Sequence, residues 1–336
     1  MFHFAIIGCG KMAHWHAQEL GKIPDVKVVA LVDPLPERTA EFRQKYFHEV
    51  AEFDSIESLL AGGRVKLDAV TLVTPHTLHW PHAKMALEHG LHVLTEKPMV
   101  TSLEHAYDLW KTVKTTGMLL GITFQAPYSA EFGYLAEMRD SGQLGKVQTI
   151  SGWVAQTWLK GTANTWRQEP EWSGGGMMYD TGAHLFNAVM WLMNEPVVEV
   201  GCFYDKCASK VDINGVAIAR FQSGALASFC VGGNCGAFGK DLQIQTETML
   251  IVTDQWGRSL QITGRDGQRV YPHVKQDSQS PAAGTPHANF VNALMGKEPL
   301  RIGVRYGVLL AALMNALYQS SESRRMVQVE PVPADI

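Results

Sequence analysis

The chain has 336 residues, of which 46% are hydrophobic and 18% charged, and its formal net charge is −4. This composition predicts a folded protein long enough for two domains with substantial cores, and it argues against a disordered chain. Because no basic block stands out, the sequence predicts neither a nucleic-acid partner nor an anionic-membrane partner.

The apolar runs and the cysteines narrow the class of protein further. No apolar run reaches the length of a membrane span, the nearest being 308–317. The amino terminus enters a predicted strand at once, without a basic region or a cleavage site, so we expect a cytoplasmic protein. The five cysteines do not indicate a disulfide framework, and small buried thiols are favoured over a zinc site, so we expect no metal.

Strand and helix patterns alternate over roughly the first 120 residues. Apolar periodicity and capping residues predict strands at 4–7, 28–32, 69–73, 92–94 and 119–124, and helices near 13–20, 36–46, 56–61, 79–89 and 102–115. Repeated strand–helix–strand units of this kind indicate a parallel sheet with helices on both faces.

The pattern changes after residue 125. A first helix at 128–139 is followed by segments that read as antiparallel strands, because short polar turns join them. The predicted strands are 146–154, 197–203, 216–221, 226–230, 247–253 and 259–262, with a helix at 176–192, a loop at 264–287 and helices near 288–295 and 304–320. We therefore predict an α/β chain of two domains, 1–124 and 125–336, and leave open where the final helices pack.

A glycine-rich turn lies between the first strand and the first helix. In Gly8-x-Gly10-x-x-Ala13, Gly8 permits the tight turn, Gly10 lets the backbone approach a pyrophosphate, and Ala13 allows close packing of helix and strand. The helix start favours an anion through its N–H groups and dipole. Nearby Lys11, His14 and His16 are interpreted as side chains beside a cofactor and not as a metal site.

Asp33 ends the second predicted strand, 20 residues after Ala13. A carboxylate there is suited to accept hydrogen bonds from the ribose hydroxyls of an adenosine, and its charge would repel a 2′-phosphate. The sequence therefore favours NAD over NADP, although Arg38, about one helical turn further on, would modify this preference.

Glu96-Lys97-Pro98 follows the predicted strand at 92–94. A single motif of this kind is ordinarily a solvated lysine beside a turn. After a dinucleotide-binding pattern its meaning changes, because ligands of open α/β sheets bind outside the carboxyl ends of the strands. We therefore predict that Lys97 is a functional residue.

A second group of candidate residues begins after Thr165. Asp180 and His184 are four residues apart on the predicted helix, so they share one face, and a carboxylate beside an imidazole can fix its tautomer for proton transfer. The alternative is an ordinary surface pair on a helix. The run Gly174 to Gly176 precedes them, and we expect it to allow close approach of a ligand.

Taken together, these motifs make the chain resemble the Gfo/Idh/MocA oxidoreductases, similar to inositol and sugar dehydrogenases. The resemblance runs nearly end to end. It depends on the combination Gly8-x-Gly10-x-x-Ala13, Asp33, Thr74-Pro75 with His79, Glu96-Lys97-Pro98, Trp166-Arg167, Gly174 to Gly176 and Asp180-x-x-x-His184. The later stretch 289–318 also resembles the closing helices of the family.

The resemblance implies a Rossmann domain followed by an α/β domain with an open antiparallel sheet that carries subunit contacts, so a homodimer or homotetramer is expected. It implies that Glu96 holds the nicotinamide ribose, that Lys97 reaches the reacting carbon–oxygen bond, and that Asp180 and His184 complete the catalytic group. The full set of expected cofactor-binding residues is Gly8, Gly10, Lys11, Met12, Ala13, Asp33, Thr74, Pro75, His79, Glu96, Lys97, Trp166 and Arg167.

Three positions depart from the family pattern, namely His76, Gln125 and Asn187, so the resemblance does not identify the substrate. Polyol recognition needs hydrogen-bonding groups beside apolar or aromatic walls. The substrate-binding candidates are Gln125, Tyr128, Trp158, Arg167, Tyr179 and His184; for Tyr128 and Trp158 a packing role has equal weight.

The predicted function is reversible hydride transfer between a secondary alcohol of a sugar or polyol and a nicotinamide, with Lys97 or His184 as the proton acceptor. Two alternatives remain open. The first is an NAD-dependent glycosidase that oxidises its substrate only transiently. The second is an NAD-binding regulator without turnover, against which the presence of Lys97, Asp180 and His184 argues.

Overall fold

The computed structural model describes residues 1–61, 63, 65–271 and 284–333. Its internal contacts divide the chain into two compact units. The first unit consists of Met1–Val100, Glu104–Thr123 and Thr285–Gly307, and the second of Thr101–Leu103, Phe124–Gly284 and Val308–Ile336. Residues 285–307 thus belong to the first unit, which answers the open question of where the predicted helix near 288–295 packs.

The first part of the chain alternates strands and helices, as predicted. In chain order its elements are β1 (Phe2–Ile7), α1 (Ala13–Gly21), β2 (Val26–Val32), α2 (Pro36–Lys45), β3 (Ala51–Phe53), α3 (Ile56–Ala61), β4 (Ala69–Leu72), α4 (His79–Glu88), β5 (His92–Thr95), α5 (Leu103–Thr116) and β6 (Leu120–Ile122).

A six-stranded sheet with the order β3-β2-β1-β4-β5-β6 forms the centre of the first unit, and every pairing in it is parallel. Its middle strands are apolar runs because a parallel sheet is covered on both faces; β4 is buried along its whole length. The strand order reverses between β1 and β4. In such sheets, ligands bind at the carboxyl ends of the strands next to this reversal.

The second part of the chain is dominated by strands. Its elements are α6 (Ala130–Asp140), β7 (Val147–Ala155), α7 (Trp158–Gly161), α8 (Pro170–Ser173), a π-helical turn (Met178–Gly182), α9 (Ala183–Met193), β8 (Val197–Asp205), β9 (Asn214–Phe221), β10 (Leu226–Gly232), β11 (Gly239–Thr246), β12 (Met249–Thr253), β13 (Leu260–Gly264), β14 (Arg269–Tyr271), α10 (Pro286–Leu294), α11 (Val304–Ser323) and β15 (Val327–Gln328).

Nine of these strands form one sheet with the order β14-β13-β12-β11-β7-β10-β9-β8-β15. The pairing of β7 with β10 is parallel and the others are antiparallel. Buried and exposed residues alternate along β9 and β10, so one face of the sheet packs inward and the other is exposed. The predicted α/β class, with a parallel Rossmann sheet and a mainly antiparallel second sheet, is therefore confirmed.

Several local predictions need correction. The short edge strand β3 and the strand β11 were missed, because β3 has only three residues and β11 carries few apolar side chains. The helix predicted at 176–192 is interrupted by the π-helical turn at its start. The loop predicted at 264–287 contains β14 and the start of α10, while 272–283 lie outside the described residues.

The described residues contain neither a membrane-spanning helix nor a cluster of metal ligands. In the described part of the chain, no helix combines the length and apolar character that crossing a membrane requires. No group of three or more His, Cys, Asp or Glu side chains among residues 1–61, 63, 65–271 and 284–333 has the arrangement of a metal site.

Candidate functional site

The glycine-rich turn after β1 has the geometry that close backbone approach requires. Gly8 has a φ of +91°, and a Cβ there would lie 2.7 Å from the carbonyl oxygen of Val73, so a side chain is excluded. At Gly10 a Cβ would meet nothing within 4 Å, so the space beside this backbone is open. Ala13 is fully buried where α1 begins.

Asp33 lies at the carboxyl end of β2 and is 4% exposed. One carboxylate oxygen accepts the Cys9 N–H at 2.9 Å, and the other accepts the Leu35 N–H at 3.0 Å. Asp33 therefore ties the glycine-rich turn to the loop after β2. The Arg38 guanidinium lies 3.6 Å from the Asp33 carboxylate. Burial, together with the negative charge of Asp33, raises the pKa of the Cys9 thiol to about 12, so this cysteine stays protonated.

An open concavity of about 510 Å³ lies beside Asp33. Three of the residues that line it carry carboxylates, so its wall is acidic. The residues around it are Asp33, Pro34, Pro36, Thr39, Glu52, Phe53, Asp54 and Ser58. Such a wall suits hydroxyl groups and opposes phosphate.

His79 is fully buried at the start of α4 and connects two loops of the first unit. Its Nδ1 lies 2.7 Å from the carbonyl oxygen of Pro98, and its Nε2 lies 2.9 Å from that of Thr74. Burial lowers the pKa of His79, and the two carbonyl groups oppose this effect. His79 thus supports the backbone at both predicted cofactor segments and, being buried, does not present its ring at the surface.

Glu96 and Lys97 follow β5 directly, at the carboxyl edge of the first sheet. Glu96 is 8% exposed; its Oε2 accepts the Lys97 N–H at 3.1 Å, and its Oε1 lies 2.9 Å from Nε2 of His16. Lys97 is half-buried. The partner of Glu96 was not predicted, although the sequence carried a signal for it, because His16 lies on the same face of α1 as the buried Ala13, Ala17 and Leu20.

In the second unit, Asp180 is the centre of a buried polar cluster. Its Oδ2 accepts the Trp158 Nε1–H at 2.8 Å and the Arg167 Nε–H at 3.1 Å. The Arg167 guanidinium also lies 4.4 Å from the centre of the Trp166 ring. Trp158 is 5% exposed, and its indole N–H is used in the hydrogen bond to Asp180. This buried position agrees with a packing role for Trp158, which was the alternative to substrate binding.

His184 lies in the first turn of α9 and is half-buried between aromatic rings. Its ring centre is 5.8 Å from that of Phe124, edge to face, and 5.9 Å from that of Trp256. Trp256 was not among the predicted residues. Asp180 lies in the π-helical turn, so the regular α-helical spacing assumed for Asp180 and His184 does not hold; π-helical turns are frequent at functional sites.

The glycine run before this turn has a packing role that sequence analysis did not anticipate. A Cβ on Gly174 would lie 2.3 Å from Thr101, one on Gly175 2.5 Å from Tyr179, and one on Gly176 1.8 Å from the carbonyl oxygen of Asp212. Protein atoms thus fill the space that was expected to admit a ligand. The expectation of ligand approach at these three residues is corrected accordingly.

Asp212 anchors this segment and was also missed by sequence analysis. Its carboxylate accepts the N–H groups of Gly176 at 2.6 Å and Met178 at 2.8 Å, together with the Tyr318 hydroxyl. Tyr179 stacks on Tyr318, is 3% exposed, and donates its hydroxyl to the carbonyl oxygen of Thr101. Because its ring and its hydroxyl are both used in contacts within the protein, Tyr179 has a packing role and not the predicted role in substrate binding.

The remaining candidates for substrate binding lie just after β6. Gln125 is half-buried, and Tyr128 is 4% exposed. The predicted site residues thus form two groups, one in each unit. The first group is Gly8, Gly10, Lys11, Met12, Ala13, Asp33, Thr74, Pro75, His79, Glu96 and Lys97, and the second is Gln125, Tyr128, Trp158, Trp166, Arg167, Tyr179, Asp180 and His184.

Two regions of the chain match families of known proteins. Residues 2–124 match the "Oxidoreductase family, NAD-binding Rossmann fold", and residues 132–268 match the "GFO/IDH/MocA C-terminal domain". The two matches follow each other without overlap and together cover most of the chain.

Individual proteins are similar over different lengths. The D-glucoside 3-dehydrogenase of Escherichia coli (strain K12) is 24% identical over 97% of both chains. The scyllo-inositol 2-dehydrogenase (NAD(+)) of Bacillus subtilis (strain 168) is 26% identical over 58% of this chain and 55% of its own length. The WlbA dehydrogenase of Bordetella pertussis, solved with NADH and UDP-GlcNAcA, has the same fold, with a TM-score of 0.85, 23% identity and 99% coverage of both chains.

Proposed function

Because this chain belongs to the GFO/IDH/MocA family of oxidoreductases, whose first domain is an NAD-binding Rossmann fold, we propose that it is an NAD-dependent dehydrogenase of a sugar or polyol. One observation carries the proposal. The glycine-rich turn, Asp33, Thr74 and Glu96-Lys97 all follow neighbouring strands of one parallel sheet, at the edge where nucleotide ligands bind.

The residues of the first unit fit a dinucleotide. The open space beside Gly10 suits a pyrophosphate at the start of α1, and the Asp33 carboxylate suits the adenosine ribose. Thr74, Pro75 and Glu96 would hold the nicotinamide half. When bound, NAD would supply the hydride acceptor at C4 of its nicotinamide.

The concavity beside Asp33 supports NAD in preference to NADP. Asp33, Glu52 and Asp54 are carboxylates on its wall, and a 2′-phosphate placed there would be repelled. Arg38 lies 3.6 Å from the Asp33 carboxylate, and Arg43 lies 2.6 Å from the Glu52 carboxylate. Both arginines are therefore already paired with carboxylates of the protein.

The substrate class is proposed from the relatives and from the second unit. The names of two relatives specify a D-glucoside and scyllo-inositol as substrates of those proteins. In this chain, Arg167, Gln125 and His184 would donate hydrogen bonds to hydroxyl groups, and the rings around His184 would provide an apolar wall.

The proton of the oxidised hydroxyl is proposed to pass to His184 or Lys97. The imidazole of a free histidine has a pKa near neutrality, which makes His184 a residue type suited to act as a general base. Lys97 would then hydrogen-bond the same oxygen and stabilise the developing charge. In the other assignment Lys97 is the base, which requires that its environment favour the neutral amine.

The proposal is tested by following NADH absorbance with purified protein, NAD⁺ and a panel of sugars, polyols and glycosides. Lys97→Met and His184→Ala are each expected to lower hydride-transfer rates at least about 100-fold, because each removes a proton-transfer or charge-stabilising group. The exposed residues Lys111 and His89 give the matched controls Lys111→Met and His89→Ala. If both site variants keep wild-type rates, this assignment of the catalytic residues is wrong.

The same panel separates the alternative functions. Cleavage of a glycoside without net NADH formation would indicate the transient-oxidation glycosidase. Binding of NAD⁺ without turnover of any compound would indicate a regulator. The pH dependence of the residual rate in Lys97→Met and His184→Ala identifies the base, since the titration that is lost belongs to the residue removed.

We also propose that two copies associate through the exposed face of the nine-stranded sheet. Large apolar side chains are exposed there on four neighbouring strands, namely Trp153 on β7, Leu226 on β10, Val216 and Ile218 on β9, and Phe203 on β8. Ile218→Lys is expected to lower the molar mass measured by light scattering, whereas Leu35→Lys in the first unit is not. An unchanged mass in Ile218→Lys contradicts this interface.

A further inference from the structure

A chain of three buried polar side chains runs through the first unit. Oε1 of Glu96 lies 2.9 Å from Nε2 of His16, and Nδ1 of His16 lies 2.9 Å from Nε2 of His287. Both histidines are fully buried, and Glu96 is 8% exposed. The three residues come from the end of β5, from α1 and from the start of α10, so only the folded first unit brings them together.

Trp15 shields this chain with its ring. Its centre lies 5.0 Å from that of His16 and 4.8 Å from that of His287, and both contacts are edge to face. The two histidine rings also meet edge to face, at 4.9 Å. In such an apolar setting hydrogen bonds are stronger, and an unpaired polar group is more costly, than in water.

The proton positions in this series of hydrogen bonds can be assigned by starting from His287, the residue at its end. Among the described residues, Nδ1 of His287 is buried without a hydrogen-bond partner. A buried orphan N–H is rarer than an acceptor without a partner, so His287 carries its proton on Nε2 and donates it to Nδ1 of His16. His16 must then carry its own proton on Nε2 and donate it to Glu96.

The carboxylate end agrees with this assignment. Oε2 of Glu96 accepts the Lys97 N–H, so both Glu96 oxygens receive donors, as an ionised carboxylate requires. Burial lowers the pKa of His287 well below its ordinary value, which keeps its ring neutral. The charged groups that act on His287 are Glu96 and Lys22.

We propose that His16 and His287 are positioning residues that hold Glu96 ionised and in a fixed orientation for binding of the nicotinamide ribose. This inference rests on the proposed function, because it assigns Glu96 to the cofactor. His287 fixes the tautomer of His16, and His16 in turn directs one N–H at Glu96. Without His287, the His16 ring loses its donor on Nδ1 and can hold its proton on either nitrogen.

The first test measures the tautomers in the protein without added cofactor. Long-range ¹H–¹⁵N spectra of histidine-labelled protein, assigned with His16→Gln and His287→Gln, are expected to show neutral His16 and His287 protonated on Nε2 at pH 7.5. A proton on Nδ1 of His287, or a doubly protonated His16, would overturn the proposal. This readout does not depend on the cofactor or on turnover.

The second test measures NAD⁺ affinity by calorimetry in His287→Leu and His287→Gln. The leucine removes the donor, so Kd is expected to rise about fivefold to tenfold, the effect of one lost hydrogen bond. The glutamine amide can still donate to His16, so its Kd should stay within about twofold of wild type. The exposed control His89→Leu should not change Kd. Equal affinities of the leucine variant and wild type would overturn the positioning role.

The two tests also separate this inference from the proposed function. If the wild-type protein shows the predicted tautomers but does not bind NAD⁺, the proposed function fails and the positioning role fails with it, while the hydrogen-bond chain stands as structure. If it binds NAD⁺ and the tautomers differ, only this inference is overturned. If His287→Leu does not fold, the tautomers in the wild-type spectrum and the NAD⁺ affinity of His287→Gln still test the positioning role.

Discussion

The indole N–H of Trp158 donates to the same carboxylate oxygen of Asp180 that accepts the Arg167 Nε–H. Both donors therefore hold the same oxygen, Oδ2, of Asp180. One donor is a neutral, buried ring and the other a charged side chain that is 30% exposed. The buried Trp158 bond is shielded from solvent, so we expect it to be the firmer of the two.

Trp158→Phe tests this relationship. The substitution removes the N–H and keeps an aromatic ring, so Oδ2 of Asp180 loses the donor that the buried indole supplies. We expect kcat/KM to fall about tenfold with the substrate found in the panel, since a buried hydrogen bond to a charged group is lost. The measurement is steady-state NADH formation. Trp110→Phe, on α5, serves as the control, and equal effects of the two substitutions would contradict a specific role of Trp158.

Gly176→Ala tests the packing role of the glycine run. Its Cβ would lie 1.8 Å from the backbone oxygen of Asp212, so the backbone must shift and disturb the bonds that Asp212 accepts. We expect the free energy of unfolding to fall by about 3 kcal/mol. Urea denaturation measures this change.

The matched control for this substitution is Gly21→Ala at the end of α1. A Cβ there meets nothing within 4 Å, so alanine should stabilise the protein by about 0.5–1 kcal/mol. If Gly176→Ala is as stable as wild type, the close contact with Asp212 does not constrain this position.

Asp33→Ser tests the choice of cofactor. Serine removes the charge that would repel a 2′-phosphate and releases Arg38, which lies 3.6 Å from the carboxylate. We expect the ratio of the NADP⁺ and NAD⁺ affinities to move towards NADP⁺ by about tenfold or more. Fluorescence titration with both cofactors measures the ratio. Asp25→Ser, an exposed carboxylate outside the concavity, is the control, and an unchanged ratio in Asp33→Ser would exclude Asp33 as the determinant.

The stability of the protein should depend on pH through His287. Burial lowers the pKa of His287 in the folded state, so below its ordinary value, about 6.5, the unfolded chain binds a proton that the folded chain does not. This contribution is complete above pH 6.5 and is lost as the pH falls, with a slope of up to about 1.4 kcal/mol per pH unit.

His287→Gln removes this titration. Urea denaturation between pH 7.5 and 5 should therefore show a flatter decline in the free energy of unfolding for this variant than for wild type. The exposed His89→Gln should leave the slope unchanged. A slope in His287→Gln equal to that of wild type would mean that His287 does not titrate differently in the folded and unfolded states.

The sequence alone was enough to predict five of the six strands of the first sheet, all but the short edge strand β3. Strand and helix periods, the glycines of the turn after β1, and the acid after β2 are local patterns with local physical causes. For the same reason most element bounds in the first unit lie within two residues of the prediction. The mainly antiparallel character of the second sheet was also predicted, but its strand β11 was missed because polar residues interrupt the short apolar pattern.

The tertiary structure decided which neighbours these residues have. The sequence does not reveal that Gly176 lies against Asp212, because the two are 36 residues apart and meet only through packing. Nor does it connect His16 with His287 across 271 residues, since nothing in the local pattern of α10 specifies a partner on α1. Motifs are local and therefore readable from the chain, whereas the partner that orients each functional side chain is set by contacts that exist only after folding.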